Sequence, residues 1–158
     1  MDRFATLRAS SLLSDFSDVG VRILAEACEE RTVGRGTCAF RAGEPSTALY
    51  FIGRGTLQLQ VREGGQSLGE VKAGDTLGNF SLLAGGEHLL SAWAATDVEL
   101  AVLERDAFEA MRNQKPQASL KLMLALAHDF GQRLQDARGP FREFLAWQVS
   151  KRQADAGR

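Results

Sequence analysis

The stretch GDTLGNFSLLAGG, residues Gly74–Gly86, guides the interpretation of the whole chain, and Ser91 and Ala92 follow it closely. Two glycines flank a short polar turn, helix-capable residues come next, and a glycine pair ends the stretch. Backbone N–H groups at the start of a helix bind anions, and glycine gives a phosphate close access to them. The stretch therefore predicts a phosphate cradle. Strand-like patterns before it would wall a pocket, and helical patterns after it would close that pocket.

Length and charge exclude several classes of protein. The chain has 158 residues, a formal net charge of −1 and 44% hydrophobic residues, which fits one domain with its own core. This charge gives no global attraction to nucleic acid or to anionic membranes. No apolar run approaches the roughly 18 residues of a transmembrane span. Residues 1–5 lack the pattern of a secretory signal, so we expect a cytoplasmic protein.

The two cysteines, Cys28 and Cys38, are too few for a four-thiolate zinc or iron–sulfur site. We expect both to be reduced, partly buried thiols, because disulfides are rare in the cytoplasm. No metal site is predicted.

The first hundred residues predict one helix and then a β-rich region. Residues 1–11 have a weak pattern and predict a tail or a loose first turn. Apolar spacing predicts a helix over 18–29, with Ser17 or Asp18 as its N-cap. Short β-prone runs then alternate with glycine-bearing turns, which is typical of a barrel or sandwich. The predicted strands are 31–33, 37–41, 48–52, 56–62, 67–71, 89–95 and 98–103.

Helical spacing returns after residue 103 and predicts a short helix over 107–111 and a long one over 117–137. An apolar stripe with spacings of 4 and 3 residues runs along the long helix: Leu120, Leu124, Ala127, Gly131 and Leu134. Two interpretations stay open, since such a stripe packs on a barrel or forms the seam of a homodimer. Gly139-Pro140 is expected to end this helix. A short last helix is predicted from the stripe Phe141, Phe144, Leu145 and Val149.

Several of these features, in this order, resemble the cyclic nucleotide-binding domain family, as in the sensor half of catabolite activator-type regulators. They are Gly43, the run 49–55, the stretch 74–83, Ser91-Ala92 and the run 102–108. The resemblance covers about residues 12–138, with 139–158 as a C-terminal helix and tail. It implies a mainly β fold with flanking helices: a β-barrel of the double-stranded β-helix, or jelly-roll, type, followed by a long C-terminal helix.

The resemblance also implies a ligand site, the phosphate-binding cassette. By this resemblance the contacts come from Gly78, Asn79, Phe80, Ser81, Leu82, Leu90, Ser91 and Ala92. The family usually has a glutamate for the ribose hydroxyl where this chain has Asn79. It usually has an arginine for the cyclic phosphate where this chain has Leu90. No lysine or arginine lies between Ala73 and Arg105, and the segment 87–90 is slightly longer than usual.

The energies of the lost hydrogen bonds indicate how much these two replacements weaken ligand binding. A hydrogen bond to a charged group contributes about 1.5–3 kcal/mol, so losing both costs roughly 3–6 kcal/mol. This loss corresponds to about two to four decades in affinity. We therefore predict that cAMP and cGMP bind weakly or not at all in the family's usual manner. A more apolar pocket is expected, lined by Leu77, Leu82 and either Leu89 or Leu90.

The two histidines, His88 and His128, are separate in the sequence. We interpret His88 as an exposed loop residue. Its alternatives are an accessory anion ligand that is charged at acidic pH, or a haem ligand. His128 with Asp129 resembles the core pair of metal phosphohydrolases, but such a site needs several further histidines and the chain has only His88 besides. No nucleophile elbow or P-loop is present, so we expect no enzyme.

The sequence thus predicts a non-enzymatic signalling module that senses a small-molecule effector or meets a partner protein. There are two alternatives. One is a scaffold for dimerisation or protein docking whose pocket binds no ligand, and the other is a haem-based sensor. About twenty residues follow the long helix, fewer than a helix-turn-helix domain needs, so no direct DNA binding is expected. Whether the chain is complete stays open.

Overall fold

The computed structural model of the protein describes residues 1–61 and 63–157, and of residues 138, 140, 141 and 144 only the backbone. The chain forms two compact units, Met1–Ala125 and Leu126–Arg158. The strands are β1 Glu29–Val33, β2 Cys38–Phe40, β3 Ala48–Arg54, β4 Thr56–Gln60, β5 Ser67–Lys72, β6 Thr76–Leu77, β7 Ser91–Ala94 and β8 Val98–Glu104. The helices are α1 Arg3–Arg8, α2 Asp18–Ala27, α3 Ser81–Ala84, α4 Arg105–Gln114, α5 Pro116–Asp136 and α6 Arg138–Ala156.

Within the described residues the strands form two four-stranded antiparallel sheets, in the orders β1-β8-β3-β6 and β2-β7-β4-β5. A single apolar cluster draws side chains from both sheets: Val33, Phe40, Ala48, Tyr50, Ile52, Leu57, Ala92, Ala94, Val98, Leu100 and Val102. Two antiparallel sheets that share a core make a jelly roll. The predicted fold class is therefore confirmed.

The central strand β3 is buried on both faces. Its residues 48, 50 and 52 belong to the inter-sheet cluster, whereas Leu49 and Phe51 are buried on the opposite face, where α1 packs on the strand. A continuous apolar run is what such a doubly covered strand requires. The seven predicted strands are all present, with shifted ends. The two-residue strand β6 was not predicted, although it leads directly into the cassette.

The N-terminus is more regular than the tail or loose first turn that the sequence predicts, because residues 3–8 form the helix α1. Asp2 caps α1, because its side chain accepts a hydrogen bond from the Ala5 N–H at 3.1 Å. Leu7 is fully buried. Six residues are too few to show a helical period, so this helix is recognisable only from its cap and its burial. The predicted helix over 18–29 is α2, and the Ser17 hydroxyl accepts a hydrogen bond from the Gly20 N–H at 3.2 Å.

Helix α5 packs in the first unit through a different face from the predicted one. Leu122 is fully buried, whereas Leu120 and Leu124 are 53% and 62% exposed. The interpretation in which this stripe packs on the barrel is therefore wrong for Leu120 and Leu124. The homodimer interpretation stays a prediction.

The C-terminal unit contains a longer last helix than predicted. The long helix α5 ends at Asp136, close to the predicted end at 137, and Gly139-Pro140 lies in the first turn of α6, which has 19 residues. Proline fits there because its missing N–H would have no partner in the first turn of a helix. In the predicted stripe, Leu145 and Val149 are exposed, and the side chains of Phe141 and Phe144 lie outside the described part. None of the described helices has the length and apolar character needed to cross a bilayer.

Candidate functional site

Glycines shape both ends of the predicted cassette. Gly78 follows β6 with φ at 75°, and a Cβ atom there would collide with the carbonyl oxygen of Ala48 in β3. The backbone therefore turns and passes close to the sheet only because residue 78 is glycine. Helix α3 follows with only four residues, and Gly85 ends it with φ at 71°. The predicted turn followed by a short helical segment is thus present.

The cassette side chains divide into buried and exposed groups. Leu82 is 1% exposed and anchors α3 in the body of the first unit. Asn79 is also buried, so the residue at the family's glutamate position lies inside the fold. Phe80 and Leu83 are about half exposed on the outer side of α3.

The first residues of β7 form the other predicted wall of the site. Ser91 and Ala92 are both buried. The Ser91 hydroxyl accepts a hydrogen bond from the backbone N–H of Ala42 at 2.9 Å. Leu89 and Leu90 were alternatives for the pocket lining. Leu89 is 88% exposed, whereas Leu90 is partly buried.

The segment between α3 and β7 pairs with the loop between β2 and β3. The His88 N–H donates to the Glu44 carbonyl, and the Gly43 N–H donates to the His88 carbonyl, both at 2.8 Å. The Ser46 N–H likewise donates to the Gly86 carbonyl at 2.8 Å. These reciprocal bonds fix the segment in place although it contains no long strand.

His88 is buried, and the prediction of an exposed loop histidine is wrong. The residue is 8% exposed, and its ring stacks on the Phe40 ring, with centroids 3.8 Å apart. Its Nδ1 lies 3.2 Å from the Ser46 hydroxyl. Burial lowers the pKa of His88, and the carboxylate of Glu44 partly opposes that shift. The neutral imidazole is thereby favoured, which works against a cationic role for His88 at neutral pH.

Arg105, which the sequence analysis did not include in the site, lies beside the cassette. The Arg105 Nη2 donates to the Ser81 carbonyl at 2.6 Å. The guanidinium also lies against Gly85, where a Cβ atom would come within 2.9 Å of Nη1. Arg105 marks the end of the stretch without cations in the sequence. The fold brings it back to the cassette because α4 begins where β8 ends.

The other candidate groups do not assemble into a reactive centre. Among the described residues, no three His, Cys, Asp or Glu side chains come together as metal ligands. Cys28 and Cys38 are both free thiols. Burial raises the pKa of Cys28 to about 12, against the opposing charge of Arg3. Burial is also the main cause that raises the pKa of Cys38, so both thiols are disfavoured as thiolates.

Comparison with known proteins gives a consistent family assignment. The family model "Cyclic nucleotide-binding domain" matches residues 30–115. An uncharacterized NTE family protein of Mycobacterium tuberculosis is 26% identical over 126 residues, which are 80% of this chain and 21% of that protein. The cyclic AMP receptor protein of Thermus thermophilus is 29% identical over 124 residues, 77% of this chain and 57% of that protein.

A solved structure gives the same result at the level of the fold. The Thermus thermophilus catabolite activator protein superposes with a TM-score of 0.73 and 28% identity, covering 85% of this chain and 63% of that one. The chain spans about a fifth of the length of the first curated relatives it matches.

Proposed function

The chain belongs to the cyclic nucleotide-binding domain family, and from this premise we propose that it is a non-enzymatic signalling module. It senses a small effector at α3 and relays the change through the C-terminal helices α5 and α6. One observation supports the proposal: Gly78 lies close against β3 and Leu82 is buried, so that a turn and a short helix lie where the resemblance puts the cassette. A helix of four residues held by one buried leucine is an element that a ligand can shift.

The proposal includes weak or absent binding of cAMP and cGMP in the usual manner. Asn79 and Leu90 replace the two side chains that the family uses for ribose and phosphate, at an expected cost of roughly 3–6 kcal/mol. The Ser91 hydroxyl already accepts a hydrogen bond within the protein. His88 in its neutral form brings no compensating charge. These features favour an effector that is less anionic than a cyclic nucleotide.

Thermal unfolding with added ligands tests this function. The ligands are cAMP, cGMP, cyclic dinucleotides and haem, each added in excess. A ligand at about 100 times its Kd should raise the melting temperature by roughly 5–10 °C. A large shift with cAMP or cGMP would contradict the proposed weak binding.

A designed gain of binding tests the assignment of the site. The double change Asn79→Glu and Leu90→Arg restores both family side chains and should create affinity for cAMP or cGMP. The matched control combines Asn79→Glu with Leu89→Arg, which adds the same charge at an 88% exposed neighbour. Binding by the first variant alone supports the site. If the first variant folds but does not bind, either the cassette assignment or the expected pocket shape is wrong.

Homodimerisation through α5 is the second part of the proposal. Leu120 and Leu124 are large apolar side chains exposed at the 4-residue spacing of a helix seam. Changing both to Glu should convert a dimer into a monomer, as measured by sedimentation. The control is Val19→Glu on α2, where the side chain is 68% exposed. Dimers that survive the double change would place the seam elsewhere.

A scaffold without an effector is the second candidate, because His88 is buried beside the cassette and stacks on Phe40 of the inter-sheet cluster. The absence of a melting shift with every ligand, together with an intact dimer, would favour this alternative. Cytoplasmic location and the absence of direct DNA binding stay predictions.

A further inference from the structure

A chain of polar contacts runs through the cassette and ends at a different part of the fold on each side. His88 Nδ1 lies 3.2 Å from the Ser46 hydroxyl, and that hydroxyl makes a short hydrogen bond to the Ser81 hydroxyl. Ser81 is the first residue of α3, and its carbonyl accepts the hydrogen bond from Arg105 Nη2 at 2.6 Å. Every link from His88 to Arg105 is therefore a contact between side chains or between a side chain and α3.

Arg105 holds α3 from the side of α4. Its backbone N–H donates to the Thr47 carbonyl at 2.9 Å, so the start of α4 is fixed to the residue after Ser46. Its guanidinium fits against Gly85, the residue that ends α3, where any side chain would displace it. The Ser81 carbonyl also accepts the Gly85 N–H within α3, at 3.0 Å. One cation thus braces both ends of this four-residue helix.

His88 holds the other end of the chain. Its ring is buried against Phe40 of β2, and its backbone is paired with Glu44. Ser46 is 2% exposed and links the two sides, because its hydroxyl contacts both His88 and Ser81. A helix of four residues is not stable by itself, so contacts of this kind must hold it in place.

We propose that Arg105, Ser81, Ser46 and His88 form an internal latch that keeps α3 docked when no ligand is bound, with Arg105 as a positioning residue. The latch joins the cassette to the start of α4, which precedes α5 and α6 in the chain. Its role in signalling rests on the proposed function, since an effector at α3 would act by strengthening or breaking these contacts. Its presence in the free protein does not depend on any ligand.

Hydrogen exchange of the ligand-free chain, followed by mass spectrometry, tests the latch. Arg105→Gln should speed the exchange of amides in residues 80–86 by about tenfold or more, because a charge-assisted bond to α3 is lost. Amides of β3 and β8 should keep their protection. The matched control is Arg112→Gln in the same helix, where the guanidinium pairs with Glu109 on the surface. Arg105→Lys should restore part of the protection, because it keeps a cation that can reach one carbonyl.

A second variant, Ser46→Ala, tests the latch independently of Arg105. Ser46→Ala removes only a hydroxyl and should speed exchange in both 80–86 and 87–90, and it carries the test if Arg105→Gln does not fold. Unchanged exchange of 80–86 in these variants, or an equal rise across the whole sheet, would overturn the latch. Because no ligand is present, that outcome leaves the sensing function untouched. A melting temperature that no ligand changes would instead contradict the sensing function, and it would not affect the proposal of the latch.

Discussion

The strand pair β3–β8 and the cassette helix α3 are neighbours, yet different forces hold them. Residues 48–52 of β3 and 100–103 of β8 are buried without interruption. Helix α3 buries only Leu82 and otherwise depends on hydrogen bonds to Ser46 and Arg105. Apolar burial has no directional requirement, whereas hydrogen bonds weaken steeply when their angle or length changes. The difference teaches that a stable barrel carries a weakly held element at the place where the family binds ligands.

The largest expected effect is in the barrel. Phe51→Ala removes a large side chain that is 1% exposed in β3. It should lower the free energy of unfolding by about 3–5 kcal/mol, because a buried aromatic leaves a cavity. Urea denaturation measures this change. Leu89→Ala is the control, and it should change stability by less than about 0.5 kcal/mol, since Leu89 is exposed. A small effect of Phe51→Ala would mean that the barrel is not the stable part.

The second effect is in the cassette. Leu82→Ala should lower stability by about 2 kcal/mol, at the low end of the range for buried leucines. The reason is that α3 can leave its place while the barrel stays folded, which limits the global loss. Hydrogen exchange should therefore rise mainly in residues 80–86, whereas Phe51→Ala should raise it throughout. Equal exchange patterns in the two variants would remove the distinction between the regions.

How much of this contrast the sequence could predict depends on the range of the interactions. The strands β3 and β8 could be predicted because short β-prone runs between turn residues are local patterns. Helix α1 and strand β6 were missed because they are too short to show a period. The helix α5 and its apolar stripe could be identified from the sequence. Periodicity alone does not tell which face of a helix packs against the rest of the protein.

The site was harder to predict because its contacts are long-range. Gly78 and Leu82 could be identified from the order of glycines and apolar residues. The burial of His88 depends on pairing with Glu44, and the contact of Arg105 with Ser81 joins residues that are 24 positions apart. A single sequence carries no local signal for either contact. The departures at Asn79 and Leu90 were visible only by resemblance to the family.

A third prediction separates backbone strain from close packing at the cassette. Gly78→Ala and Gly86→Ala both place a Cβ atom on a residue with positive φ, 75° and 105° respectively. Only the Cβ atom at position 78 meets another group, the Ala48 carbonyl, whereas position 86 has open space. Each variant should lose about 1–2 kcal/mol from backbone strain. Gly78→Ala should lose at least about 1 kcal/mol more, because β3 or the cassette must shift.

Urea denaturation of the two alanine variants gives this difference directly. Equal losses would mean that the cassette can move away from β3 without cost. The weakly held region would then include Gly78 as well as α3.

The smallest expected effect is a pH dependence centred on His88. Burial lowers its pKa in the folded protein, so the unfolded chain binds a proton first as the pH falls. The stability of the neutral form is therefore complete well above the unfolded pKa of about 6.5 and is lost as the pH falls towards the folded pKa. Among the neighbours, Glu44 opposes this shift, and Tyr50 stays neutral because burial raises its pKa.

Melting curves at about pH 7.5 and pH 5.5 compare the native chain with His88→Gln, which keeps a hydrogen-bonding group but does not titrate in this range. The native chain should lose more stability on acidification than the variant. Glu44→Gln should enlarge the loss, because it removes the charge that favours the imidazolium while its side chain can still accept from the Arg41 N–H. If His88→Gln and the native chain respond alike, the His88 ring is not held neutral in the folded state. The pairing of segment 86–88 with loop 43–46 would then be loose, as in an ordinary surface loop.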